Sequence, residues 1–230
     1  MKEKQEAASD NNILYRYCMP EWRATVDANR QLLVVKKGQP VFSEQDVVKG
    51  VFFIRWGKVK IHQRWGNEKE LIIRFAKKGD MIGYRGLGKG KVYPVSATAL
   101  EDTGLMYLDI PFFEATLQVN PRLTYALMDF YANELEATEK RVRNMAHMEV
   151  KGRVAEAILM LKDHFGVNDE GYIDIRLTRQ DMASFVGTTY ETISRTISEL
   201  EAEKLIRTSD KRFALLKEKQ LARLVESNAR

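Results

Sequence analysis

An α+β fold is predicted, with an all-β first half and a helical second half that ends in a pair of short helices joined by a turn. Three observations carry this expectation. Between Leu32 and Leu108, short runs such as Val51–Arg55, Val59–Gln63 and Leu71–Phe75 are punctuated by Gly38, Gly50, Gly57, Gly66, Gly79 and Gly83. Short strands bounded by glycine turns argue for a sandwich or barrel. No proline follows Pro121, so helices are unobstructed from there onward. The stretch Thr178–Ile197 then reads as two short capped helices joined at Gly187.

Composition supports a folded protein with a real core: hydrophobic residues make up 44% and charged residues 30% of 230 residues, enough chain for two domains. The net charge of +5 suits a polyanionic partner without singling one out. Cys18 is the only cysteine, which excludes an intrachain disulfide, a four-cysteine zinc site and a four-cysteine iron–sulfur cluster. The polar opening, Met1 to Asn12, lacks the apolar centre of a secretory signal, and no apolar run approaches the roughly 18 residues of a membrane span. A loose charged tail and a reducing cytoplasmic location are expected.

Taken in order, Gly66-Asn67 between Ile61–Trp65 and Leu71–Phe75 is a hairpin tip. Pro111 and Pro121 each stand where a helix can begin. From Asn120 to about His147, Thr124, Met128, Tyr131, Leu135, Thr138, Val142 and Met145 recur at alternating spacings of four and three. That is a coiled-coil stripe, flanked by Glu134, Glu136, Glu139, Lys140, Arg141 and Arg143 as exposed charges. The same stripe also fits a helix lying along its own β domain. A further helix from Val150 to about Phe165 carries Val154, Ile158, Leu161 and Phe165 on one face, with Gly152 near its start for close packing or a hinge.

Both helices of the following pair open on a capping-box pattern, Thr178 with Asp181 and Thr188 with Glu191. On the second helix Ile193, Ile197 and Leu200 share an inward face, while Glu191, Ser194, Arg195 and Ser198 share the opposite one. A polar, short-armed face suits a major groove about 12 Å wide, where Arg195 donates to guanine, Glu191 accepts from base amino groups and Ser194 does either. Two other readings stand beside this: Glu191 closes a cap, or pairs with Arg195 at i,i+4. A basic hairpin completes the assembly, with strands Leu205–Thr208 and Phe213–Leu216, a turn at Ser209-Asp210, and Arg207, Lys211 and Arg212 available for phosphates.

From about residue 30 to 217 the chain resembles the CRP/FNR superfamily of bacterial regulators. Gly57, Gly79-Asp80 and Ile82-Gly83 match its sensor, Glu149–Val154 resembles its hinge, and Leu177–Asp181 opens its helix-turn-helix. The resemblance implies an N-terminal β-roll (a jelly-roll-like double-stranded β-helix), a long dimerisation helix and a C-terminal winged helix-turn-helix. It divides the chain into a flexible tail at 1–20, the sensor at 21–119, the dimerisation helix at 120–148 and the DNA-binding domain at 149–230. Partners implied are double-stranded DNA, a second copy of the chain, RNA polymerase and a small-molecule effector of unknown identity, with no membrane.

Glu191-Thr192-Ile193-Ser194-Arg195 reproduces the E-x-x-S-R pattern of the FNR branch, whereas Tyr190 stands where the CRP branch has an arginine. TTGA-type half-sites are therefore implied over TGTGA-type ones. Candidate DNA-contacting residues are Thr178, Arg179, Thr189, Tyr190, Glu191, Ser194, Arg195, Ser198 and Lys211. Candidate pocket residues are Gly83, Tyr84, Arg85, Ser96 and Thr138, of which Thr138 matches a family threonine that faces a nucleobase.

Where cyclic-nucleotide-binding members place a glutamate for the ribose this sequence has Tyr84, and where they place an arginine for the phosphate it has Pro94 or Val95. A buried phosphate without a charged partner costs several kcal/mol, so cAMP is not expected as the ligand. Arg85 either binds another anion or is an ion-paired surface group. Any cofactor is unknown: His62, His147 and His164 form no haem motif. The rival readings are a cyclic-nucleotide-responsive module and an enzyme, and no metal cluster, nucleophile motif or phosphate-binding glycine loop supports the latter.

Overall fold

A computed structural model describes residues 12–66 and 69–227. The chain divides into two units, residues up to 63 together with 73–135, and residues 64–72 together with 136 onward.

Residue order in the first unit begins with helices α1 (Ile13–Tyr17) and α2 (Pro20–Asn29). Strands β1 (Gln31–Val35), β2 (Pro40–Phe42), β3 (Gly50–Trp56), β4 (Val59–Trp65), β5 (Lys69–Ala76), β6 (Met81–Ile82), β7 (Ser96–Ala99) and β8 (Thr103–Asp109) follow, with a 3-10 turn at Tyr84–Leu87. They form two four-stranded sheets, ordered β1-β8-β3-β6 and β2-β7-β4-β5. The continuous apolar run of β3 is explained by burial on both faces. Val51 and Phe53 join Leu14, Val26, Met106, Leu108 and Phe113 in one cluster, while Phe52 and Ile54 join Phe42, Ile61, Ile82, Tyr93 and Leu105 in the other. The helices thus cover one face of the first sheet and the second sheet covers the other.

Three expectations differ from the structure. The tail does not run to residue 20: Asn12 caps α1 by accepting from the Tyr15 amide at 3.1 Å, and Leu14, Tyr15 and Cys18 are buried. An apolar triplet so close together is too costly to leave in water, so this segment packs under the roll. Residues 1–11 lie outside the described residues, as does Asn67 of the predicted hairpin tip; Gly66 stands at the turn with φ +64°. Burial also pushes the Cys18 thiol up, away from the thiolate that redox chemistry uses.

Helices α3 (Ile110–Val119) and α4 (Pro121–His147) follow the roll. On α4, Leu123 and Leu127 are buried in the helical cluster of the first unit, whereas Met128, Leu135 and Val142 are 64%, 61% and 62% exposed. The face on the roll is thus a neighbouring one, at Leu123 and Leu127, while Met128, Leu135 and Val142 of the predicted stripe face solvent. The second correction concerns its flanks. Glu134 and Arg141, expected as exposed charges, are turned inward onto partners described below.

In the second unit α5 (Val150–Phe165) buries Gly152, Val154, Ala155, Ile158 and Leu161. It is followed by α6 (Arg179–Val186), α7 (Tyr190–Ala202), the hairpin β9 (Ile206–Ser209) and β10 (Arg212–Leu215), and α8 (Glu218–Ser227). The hairpin turns at Asp210-Lys211 rather than Ser209-Asp210, with both residues at left-handed φ of 47° and 61°. That is the backbone sense that matches strand twist in a two-residue turn, and aspartate tolerates it.

Candidate DNA interface and effector pocket

Helix α6 opens with a complete capping box: the Thr178 hydroxyl accepts from the Asp181 amide at 3.0 Å, and the Asp181 carboxylate accepts from the Thr178 amide at 3.0 Å. It closes at Gly187, whose φ of +74° suits a residue without a side chain, and a Cβ there would stand 2.7 Å from Met145 Cε. The amides of Gly187 and Thr188 both donate to the Ala183 carbonyl. Thr188 is thereby absorbed in the turn, and α7 is capped by Thr189, which accepts from the Thr192 amide at 3.2 Å. This corrects the predicted Thr188–Glu191 box and leaves the Glu191 carboxylate out of the cap.

Two arginines that sequence reasoning did not single out hold this turn. Arg153 of α5 donates to the carbonyls of Met148 (2.7 Å), Val186 (3.2 Å) and Gly187 (3.4 Å). Arg141 donates to the carbonyls of Ile72 and Phe185, both at 2.6 Å, with its guanidinium 5.0 Å from the Phe185 ring centre. Helix C-termini leave carbonyls without intrahelical donors, and a guanidinium supplies both the donors and the favourable charge. Burial pushes the Arg141 pKa down to about 10. The signal was present as Arg153 inside the hinge motif, but a motif does not say which carbonyls its arginine meets.

On α7, Ile193, Ile197 and Leu200 are wholly buried. The opposite face presents Tyr190, Glu191, Arg195 and Ser198 to solvent. Among the described residues, Glu191 and Arg195 form no ion pair with each other or with any other group, so the i,i+4 alternative is not realised. The Ser198 hydroxyl donates to the Ser194 carbonyl at 3.1 Å, and the Ser194 hydroxyl oxygen is covered with no hydrogen-bond partner.

The remaining candidates divide. Thr189 and Lys211 are exposed. Thr178 is engaged in its cap. Arg179 is drawn inward, 5.9 Å from the Phe213 ring centre and 3.9 Å from Glu201, and burial lowers its pKa. In the hairpin Arg212 pairs with Glu170 at 2.8 Å and stacks with Arg207 on the Tyr172 ring, which commits Arg212 to the fold.

In the roll, Gly83 (φ +84°), Tyr84 and Arg85 line a cavity of about 10 Å³ together with Phe42, Ile61, Ile82, Tyr93 and Val95. Such a volume admits about one water, against about 300–1,000 Å³ for an organic ligand. The rings of Phe42 and Tyr93, stacked 4.1 Å apart, fill the space. Ser96 is buried and its hydroxyl accepts from the Glu44 amide at 2.9 Å; Thr138 is exposed on α4. The Tyr84 hydroxyl donates to Glu134, and Arg74 and Arg85 bind the same carboxylate at 3.0 and 3.1 Å. Burial, with the neighbouring Glu134 charge, pushes the Tyr84 pKa up against the opposing pull of Arg74. Among the described residues no group of His, Cys, Asp and Glu is placed to hold a metal, and no helix is long and apolar enough to cross a membrane.

Residues 32–120 match the family model of the cyclic nucleotide-binding domain, and residues 152–224 that of the Crp-like helix-turn-helix domain. The cAMP-activated global transcriptional regulator CRP of Salmonella typhimurium is 32% identical over 161 residues, 68% of this chain and 75% of the relative. The electron transport regulator A of Shewanella oneidensis is 28% identical over 200 residues, 85% of this chain and 78% of the relative. The structure of FixK2 from Bradyrhizobium japonicum superposes with a TM-score of 0.77 at 20% identity, over 85% of this chain and 96% of that one. With its N-terminal sheets, long helix and C-terminal helix-turn-helix, the chain belongs to the CRP/FNR family of transcriptional regulators.

Proposed function

We propose that the chain is a cytoplasmic, homodimeric regulator that reads a pseudo-palindromic DNA site through Glu191 and Arg195, the covered Ser194 hydroxyl lying behind them, and works by binding rather than by turnover. The observation that carries this reading is the solvent face of α7, where Glu191 and Arg195 stand without an ion pair among the described residues, above a wholly buried Ile193–Ile197–Leu200 side. An exposed guanidinium costs nothing while hydrated and becomes a strong, directional donor once paired with a guanine edge. Tyr190, Thr189 and Ser198 flank this face, and Lys211 at the hairpin tip meets phosphate.

The exposed Met128, Leu135 and Val142 of α4 give a second copy an apolar seam at coiled-coil spacing. Binding to RNA polymerase completes the function. A signal other than cAMP is supported by Tyr84, which closes on Glu134, and by the stacked Phe42 and Tyr93 rings that line the small cavity beside it. Selection of bound duplexes from a random DNA library tests the whole reading. An inverted repeat of TTGA-type half-sites, with centres one turn or about 34–36 Å apart, is the expected result. Recovery of a single asymmetric site would count against the dimer, and absence of enrichment against base reading.

A further inference from the structure

Three donors in the first unit converge on one carboxylate. Arg74 Nη1 of β5 lies 3.0 Å from Glu134 Oε1, Arg85 Nη2 of the 3-10 turn lies 3.1 Å from Glu134 Oε2, and the Tyr84 hydroxyl donates to that same oxygen. The side chains of Arg74, Arg85 and Glu134 are 18%, 28% and 23% exposed, so the cluster is largely removed from water. Arg74 has a second partner in Asp80 at 3.3 Å, and the Arg85 Nε is covered with no hydrogen-bond partner. Two cations thus meet two anions, and deleting Glu134 leaves an excess positive charge with three donors aimed at one empty position. Half-buried cations left so are strongly unfavourable.

The donors come from a strand and a turn of the roll, while the acceptor comes from a helix about fifty residues later in the chain. Tyr131, one turn before Glu134 on α4, donates its hydroxyl to the Tyr84 carbonyl at 2.7 Å, so the helix grips the same turn twice. We propose that Arg74, Tyr84 and Arg85 form a carboxylate-binding site whose resident ligand is the chain's own Glu134, fixing α4 to the roll without an effector. The recognised chemistry is a planar monocarboxylate, met by two guanidiniums and a phenol.

Truncation of Glu134 to alanine removes the equivalent of one acetate ion, which makes acetate the natural probe. The full chain is melted in sodium chloride and in sodium acetate at equal ionic strength. For Glu134→Ala the expected result is a Tm lower by about 4–8 °C in chloride, recovered saturably by acetate, with no such recovery in the wild type. Adding Arg85→Met to Glu134→Ala should abolish the acetate response. A wild-type Tm for Glu134→Ala, an equal acetate shift in both proteins, or a response that survives Arg85→Met would each overturn the proposal. Should the alanine variant not fold, Glu134→Gln carries the test: it fills the site without charge, so a lowered Tm that acetate does not restore is expected, and an unchanged Tm overturns the proposal.

Discussion

Arg195 of the α-helix α7 and Arg85 of the 3-10 turn at Tyr84–Leu87 are placed in opposite ways. Arg195 is exposed on α7 and makes no ion pair among the described residues, whereas Arg85 is bound to Glu134 at 3.1 Å beneath the 3-10 turn of the roll. The same contrast extends to their neighbours: among the described residues Glu191 has no cap or counterion to serve, while Glu134 accepts from three donors. Hydrated charges left without partners are available to another molecule, because binding there breaks no internal bond. Charges closed on each other mark a site already satisfied from within. Residue type alone does not separate the two; commitment of the donors does.

The largest effect expected from breaking this division is at a committed arginine. Arg153→Met keeps the aliphatic stem and removes the donors that the carbonyls of Met148, Val186 and Gly187 accept from. Loss of charged hydrogen bonds of this kind costs about 1.5–3 kcal/mol each, so the urea midpoint of the second unit should fall clearly. Arg195→Ala is the counterpart. Stability should stay within about 0.5 kcal/mol, as for other surface changes, while specific DNA affinity falls by about 1–3 kcal/mol with relaxed preference at one base pair. Denaturation and competition binding measured on both variants check the pair. If Arg195→Ala destabilises and Arg153→Met does not, the division between fixed and available charge is wrong.

Legibility in the sequence follows the range of each interaction. The Thr178–Asp181 box, the Gly187 turn and the bounds of α5 are readable because each is decided within a few residues. The start of α7 is misplaced by one residue because Thr188 and Thr189 offer the same hydroxyl, and only the amide bond from Thr188 onto the Ala183 carbonyl places the first of them in the preceding turn, leaving Thr189 as the cap. The burial of Leu14 and Tyr15 depends on a cluster completed by Phe113 and Leu123, about a hundred residues away. Glu134 reads as a solvent flank because its heptad position gives the side of the helix; Arg74, sixty residues earlier, decides what that side meets. Arg179 reads as a DNA-binding residue for the same reason, since its helix position is right but Phe213 and Glu201 draw it inward.

The smallest effect concerns Lys211, which tests whether the hairpin tip belongs with the available charges. Its backbone is held, with φ at +61° and its carbonyl accepting from the Leu177 amide at 2.8 Å, but its side chain is exposed. Alanine would mix two effects, because a left-handed backbone penalises it; asparagine tolerates that conformation, so Lys211→Asn removes the charge alone. In the proposed dimer the substitution removes two cations from two phosphates, which should weaken binding to specific and unrelated sequences by the same factor and flatten the slope of log affinity against log salt by about 1.8. Filter or anisotropy titrations at several salt concentrations read both quantities. A weakening confined to the selected site, with an unchanged slope, would place Lys211 among the base readers; unchanged affinity at both would return it to the solvated surface.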